Sequence, residues 1–185
     1  MTALRRALSA LVVAGVIGLT GCGGPASHNA ADIAFATSML PHHQQAVEMS
    51  DVLLAKDGVP DDVTRLATTI KAEQTPEIAQ LTGWLQSWGA PVPSGGAGDM
   101  SGMSADDGMM SDEEMGALAA ASGRDARTLY LRGMVRHHEG AVTMARTEVE
   151  QGESTEAVAL ASSVVTSQQA EIEQMNQLLG LSGGS

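Results

Sequence analysis

A chain of 185 residues is one domain by size, with room for two related halves. Its 22 acidic and 10 basic residues give a net charge of -12, which excludes nucleic acid as a partner, because the phosphates would be repelled. Phe, Trp and Tyr make up only 2% of the residues, so the core must be Ala, Leu, Val, Ile and Met, which favours packed helices over a β-sandwich.

Residues 1–21 read as a secretory signal: Arg5 and Arg6 precede a short apolar run, Ala7 to Leu19. That run is too short for a spanning helix with its usual flanks. Leu19-Thr20-Gly21-Cys22 resembles a bacterial lipobox, which implies cleavage before Cys22 and lipid attachment to its sulfur. The expected product is exported and lipid-anchored to the cell membrane, on the extracytoplasmic side. Its one cysteine is then taken, so stability must come from packing rather than from disulfides. Residues 22–31 form a short polar tether carrying His28.

Helical periodicity begins near Ala31 and runs to about Lys56, where Asp57-Gly58-Val59-Pro60 stops it. Asp61 or Asp62 can cap a second helix that continues to Trp88. Pro76 lies inside it, at a cost of about 3 kcal/mol in a regular interior. With Thr75 as a cap and Pro76 at the first helical position, the spacing predicts a kinked or split helix there. Residues 32–88 thus form a first helical hairpin.

Residues 89–110 are rich in Gly and Met and nearly without periodicity, so they read as a flexible linker. Met100, Met103, Met109 and Met110 in such a linker have no core to fill. Met-x-x-Met spacing beside carboxylates resembles the methionine-rich copper-capture segments of exported proteins; drift of a low-complexity segment is the plainer alternative. Ser111-Asp112-Glu113-Glu114 fits a capping box opening a short helix to about Ala121. A long helix from about Asp125 to Gln151 and a last one from Ser154 to Gly180 complete a second hairpin over 111–180.

The halves repeat each other. MLPHHQQAVEM, Met39 to Met49, returns ninety-five positions later as MVRHHEGAVTM, Met134 to Met144, with six of eleven positions identical. Gln74-x-x-Glu77-Ile78 returns as Gln168-x-x-Glu171-Ile172 at an offset of 94. Neither hairpin could bury its apolar stripe alone, so residues 32–180 are expected to form one all-α, four-helix bundle of two repeated hairpins.

At 100° per residue, Met39, His42, His43, Ala46, Val47 and Met49 fall in one arc of about 160°, the width of a buried face. Met134, His137, His138, Ala141, Val142 and Met144 do the same. Glu77 and Glu171 sit within the apolar stripes of the partner helices, and a buried carboxylate needs a partner. Two readings follow. In one, His and Glu form a structural hydrogen-bonded network with methionine as core filler. In the other, His42, His43, His137 and His138 bind a metal, with Met39, Met49, Met134 and Met144 as soft ligands or lining. The duplicated motif favours the second.

Ferritin-like di-iron sites use Glu-x-x-His on two helices. Here that position carries Met-x-x-His, and thioether selects Cu(I), while imidazole suits copper in either oxidation state. Structural zinc would normally bring cysteine. Copper is therefore the expected metal, although other transition metals stay open, and Glu77 and Glu171 are additional ligands or supports.

These duplicated motifs, Met-x-x-His-His-x-x-Ala-Val-x-Met with Gln-x-x-Glu-Ile, resemble domain-of-unknown-function family 305 over roughly Asp32 to Gly180. The resemblance implies a ferritin-like four-helix fold in exported bacterial proteins, some linked to copper binding or tolerance. The expected function is copper sequestration or transfer at a membrane surface, with binding favoured over catalysis. A di-metal oxidase using Glu77 and Glu171, and a non-catalytic envelope scaffold, remain as alternatives. No nucleotide fingerprint or nucleophile with a base at defined spacing occurs.

Overall fold

The computed structural model describes residues 27–94 and 107–180. The helices are α1 (Ala30–Leu54), α2 (Asp61–Ser87), α3 (Asp112–Ala120), α4 (Gly123–Gln151) and α5 (Thr155–Leu179), with no strand among the described residues. The signal segment, Cys22, Met100 and Met103 lie outside the described residues.

The helix ends have local causes. Asn29, expected in the tether, caps α1: its side chain accepts from the Ala31 and Asp32 N–H groups, and Asp32 reaches back to the Asn29 N–H at 2.6 Å. Asp61 and Asp62 do not cap α2; they occupy its first turn behind Pro60, where their charge complements the helix dipole. Ser111 and Glu114 form the expected capping box of α3, and Ser154 caps α5 through the Ala157 N–H. Gly180 ends α5 at φ 75°, whereas α1 closes at Ala55 in the right-handed region and Gly58, also at φ 75°, serves the turn that follows.

Pro76 does not divide α2. The helix is continuous, and Thr75 does not act as a cap, since its hydroxyl donates to the Lys71 carbonyl at 2.6 Å, one turn back. Pro76 is exposed, so water can solvate the carbonyl that its ring leaves unpaired, while buried Gln74 and Leu81 hold the helix inward on either side. Pro41 likewise lies inside α1, directly before His42.

α1 packs along α2 and α4 along α5, and the hairpins join through α1 and α4. Phe35, Ala36, Met39 and Leu40 share a cluster with Ala141 and Ala145, whereas Ala46, Met49 and Leu53 share another with Ala126, Tyr130 and Met134. The two helices are therefore antiparallel. Fully buried Ala36, Ala46, Ala141 and Ala145 allow close approach. A sequence repeat carried by antiparallel helices implies an approximate two-fold axis across their contact. Only a residue and its own repeat partner can meet on that axis.

The linker expectation is corrected at its end. Met109 and Met110 are only 7% and 5% exposed, and Met110 belongs to a core cluster. They do have a core to fill, because the chain returns across the α1–α4 seam before α3 begins. Among the described residues, no helix is long and apolar enough to cross a membrane.

Candidate metal site

His42 and His137 meet on the pseudo-two-fold axis, with ring centroids 3.6 Å apart. All four motif histidines are fully buried. His43 Nε2 donates to Glu77 Oε2 at 2.6 Å, and its repeat partner His138 donates from Nε2 to Glu171 Oε2 at 2.8 Å. The two carboxylates predicted to face inward therefore each hold one imidazole. His42 Nε2 donates to the Asp107 carbonyl at 3.1 Å; a carbonyl only accepts, which fixes the proton on Nε2.

The consequence lies on the other side of the rings. Nδ1 of His42, His43 and His138 has no hydrogen-bond partner, and neither nitrogen of His137 has one. Gln74 Oε1, Gln168 Oε1 and Glu171 Oε1 in the same layer are also unpaired. Buried polar atoms are ordinarily paired, and leaving one unpaired costs about 1–3 kcal/mol. Imidazoles that donate one N–H to oxygen and present a bare second nitrogen have the arrangement of metal-ligating histidines.

Electrostatics keep the central pair, His42 and His137, neutral. Burial first, then the neighbouring His43, lowers the His42 pKa from 6.5 to about 3. His137 is held well below 6.5 by burial and then by His42, His138 and His43. A neutral imidazole is the form that ligates a metal.

The methionines divide. Met39 and Met134 are fully buried and lie one turn from His42 and His137, about 4.5 Å along the helix axis. Met49 and Met144 share the histidine face but sit two turns away, about 10 Å. Met49 packs in one core cluster and partly buried Met144 against the other, so neither joins the histidine layer.

Among the described residues, no three His, Cys, Asp or Glu side chains form a group that could hold an ion. What the layer offers is two touching imidazoles with a thioether a turn to either side. That donor set suits a soft ion better than zinc or a carboxylate-bridged di-iron centre. Three contributors escape a sequence reading. The Asp107 carbonyl is a backbone atom. Gln45 reveals its partner only in the fold. Glu73 lies one turn before Glu77, and partial burial followed by the charges of Glu171 and Glu77 raises its pKa. His28 stacks on Trp88, away from the site, at 4.9 Å between centroids.

Fold and site together define the class: an all-α bundle of two repeated hairpins closed around a buried histidine layer. The chain belongs to the family Domain of unknown function (DUF305), whose profile matches residues 32–179. It is similar to a putative secreted DUF305 protein from Streptomyces coelicolor at 38% identity, covering 84% of this chain and 95% of that one, with a TM-score of 0.71. A DUF305 fragment from Deinococcus radiodurans matches at 29% identity over 82% and 97% of the two chains, also at 0.71. CopM in its Cu(I)-bound form matches at 31% identity over 83% and 98%, at 0.67. CopM is also known in Cu(II)-bound, silver-bound and apo forms. No curated protein matches the chain.

Proposed function

We propose that this protein is an extracytoplasmic copper-binding protein that sequesters or passes Cu(I) through its buried histidine layer. One observation carries the reading: four fully buried imidazoles share one layer, three of them held by Nε2–H so that Nδ1 is bare. His42 and His137 are the primary ligands, with His43 and His138 beside them in the layer, and Met39 and Met134 supply soft ligation from either side. Glu77 and Glu171 orient imidazoles rather than bind metal themselves. Copper is the cargo; its transfer needs exchangeable ligands and no proton chemistry. The similarity to copper- and silver-bound CopM supports this choice of metal. The secreted Streptomyces relative and the lipobox-like Leu19–Cys22 support export, with a lipid on Cys22 as the anchor. Met100 and Met103, in Met-x-x-Met spacing, would supply further thioethers for copper capture.

A di-metal oxidase is less favoured, because Glu77 and Glu171 are both engaged by imidazole N–H groups. A purely structural layer would pair its own polar atoms, and this one does not. The test is titration with Cu(I) against a competing chelator. Replacing His42, His43, His137 and His138 together by Ala should abolish the bundle's high-affinity site. Unchanged affinity would reject the proposal.

A further inference from the structure

Residues 107–110 cross the α1–α4 seam at the level of the histidines and are pinned from both helices. On the α1 side, the Asp107 carbonyl accepts from His42 Nε2. Gln45, one turn further along α1, holds Met110 at two points: its Nε2 donates to the Met110 carbonyl and its Oε1 accepts the Met110 N–H, both at 2.8 Å. On the α4 side the fit leaves no room for side chains. A Cβ on Gly140 would stand 1.8 Å from the Asp107 carbonyl oxygen, and one on Gly108 would stand 2.2 Å from the Arg136 carbonyl oxygen. A Cβ on Gly133 would meet Met110 Sδ at 2.6 Å. Gly108 also needs its φ of 81°, a left-handed conformation.

This is a fitted seat. It also breaks the repeat: the segment gives His42 a carbonyl, whereas His137, its two-fold mate, has no hydrogen bond of good geometry on either nitrogen and only a weak approach to the His42 backbone. One histidine of the central pair is oriented by the segment and the other is not. An imidazole that donates to a carbonyl is fixed in rotamer and tautomer, and its remaining nitrogen becomes the better ligand. A Cβ on Gly108 would also stand 3.2 Å from His137 Cα, so the segment runs against the turn of α4 that carries His137.

We propose that Asp107–Met110 is a strap belonging to the metal site: it orients His42 for ligation through Nδ1 and covers the His42–His137 pair, so that a metal ion enters and leaves only when the strap lifts. The proposal rests on the metal-binding reading above. Lifting is a local opening, independent of global unfolding. A seated strap therefore strengthens binding and slows exchange together.

Two substitutions unseat the strap from opposite sides. Gly140→Ala introduces the clash with Asp107, and because Ala is the better helix former, α4 keeps its fold. Gln45→Ala removes the clamp on Met110. The exported protein and both variants are loaded with Cu(I), and its transfer to excess chromophoric chelator is timed; deuterium exchange at the Met110 amide is followed in parallel. Both variants should exchange that amide at least tenfold faster and lose Cu(I) at least tenfold faster. Faster amide exchange with Cu(I) loss within twofold of the unsubstituted protein would overturn the proposal. So would a Met110 amide that neither substitution loosens. Failure of the metal reading is distinct: it appears as no uptake of Cu(I) by the unsubstituted protein, and the strap then has no metal to guard.

Discussion

Glu77 and Glu171 hold their imidazoles through the same atom, Nε2, although they come from different hairpins and differ in exposure, 20% against 11% for the side chains. If they act as supports, Glu171→Gln should weaken Cu(I) binding by roughly 10–100-fold while leaving the apo fold intact. Chelator competition and circular dichroism check the two halves of that statement, and complete loss of the bound ion would mark Glu171 as a ligand. A second polar contact lies deeper. Ser50 Oγ donates to the Ala46 carbonyl at 2.8 Å and so accepts from Tyr130 OH at 3.1 Å. Tyr130→Phe leaves Ser50 satisfied as a donor and should cost only about 1 kcal/mol, read from the denaturant midpoint. At this scale the inward direction of the histidines and of Glu77 and Glu171 was legible, because angular period alone determines it. The placing of Met49 and Met144 was not, since a helical wheel discards rise along the axis. The Asp107 carbonyl could not be read at all, because every residue carries one.

Among the elements, the helix ends marked by local chemistry were the readable ones: Ser111 with Glu114, Ser154, and left-handed Gly180. The misreadings came where packing overrides propensity. Pro76 stays inside α2 because inward anchors flank an exposed position, and in the second repeat the same place is filled by Ala170. Pro76→Ala should therefore stabilise the protein. The regained backbone hydrogen bond and relieved clash are worth about 3 kcal/mol in a helix interior, less about 0.4–1 kcal/mol for the freer unfolded chain. A gain of roughly 2 kcal/mol in urea unfolding is expected; a loss would mean that a bend at Pro76 is needed to seat Glu77. Met109 and Met110 were misread for a related reason. Gly- and Met-rich composition says nothing of a matching groove, and the groove is made by Gly133 and Gly140 on a helix still to come.

Over the whole molecule, the repeat predicted two hairpins but not their relative direction; the antiparallel α1–α4 contact is seen in which residues cluster, and small residues at both ends of the seam allow the close approach. That arrangement buries a pair of carboxyls, Glu148 at 1% exposure beside Asp32 at 0%, where the start of α1 meets the α4–α5 turn. Burial and then Asp32 raise Glu148 to about 8, so at neutral pH it is a carboxylic acid donating to Asp32. Burial pushes Asp32 up, but hydrogen bonds from Asn29, Glu148, Ser154 and Glu153 outweigh it and hold the carboxyl below 3.8. Glu148 and the histidines pull stability in opposite directions with pH. Between 4.5 and about 8 the folded chain keeps the Glu148 proton that the unfolded chain has lost, so stability falls as pH rises. Between about 3 and 6.5 the unfolded chain protonates His42 while the folded chain does not, so stability rises with pH. His137 has the same sign as His42. Two histidines outweigh one carboxyl where the windows overlap, and above 6.5 only the Glu148 contribution still changes, so the metal-free protein should melt highest near pH 6.5. Glu148→Gln should flatten the alkaline limb and leave the acid limb in place. Loading with Cu(I) should extend the acid limb instead, because a ligated imidazole must lose its metal before it can take a proton. Melting curves across this range, with and without copper, separate the two ends of the bundle; an acid limb indifferent to the metal would place the copper away from His42 and His137.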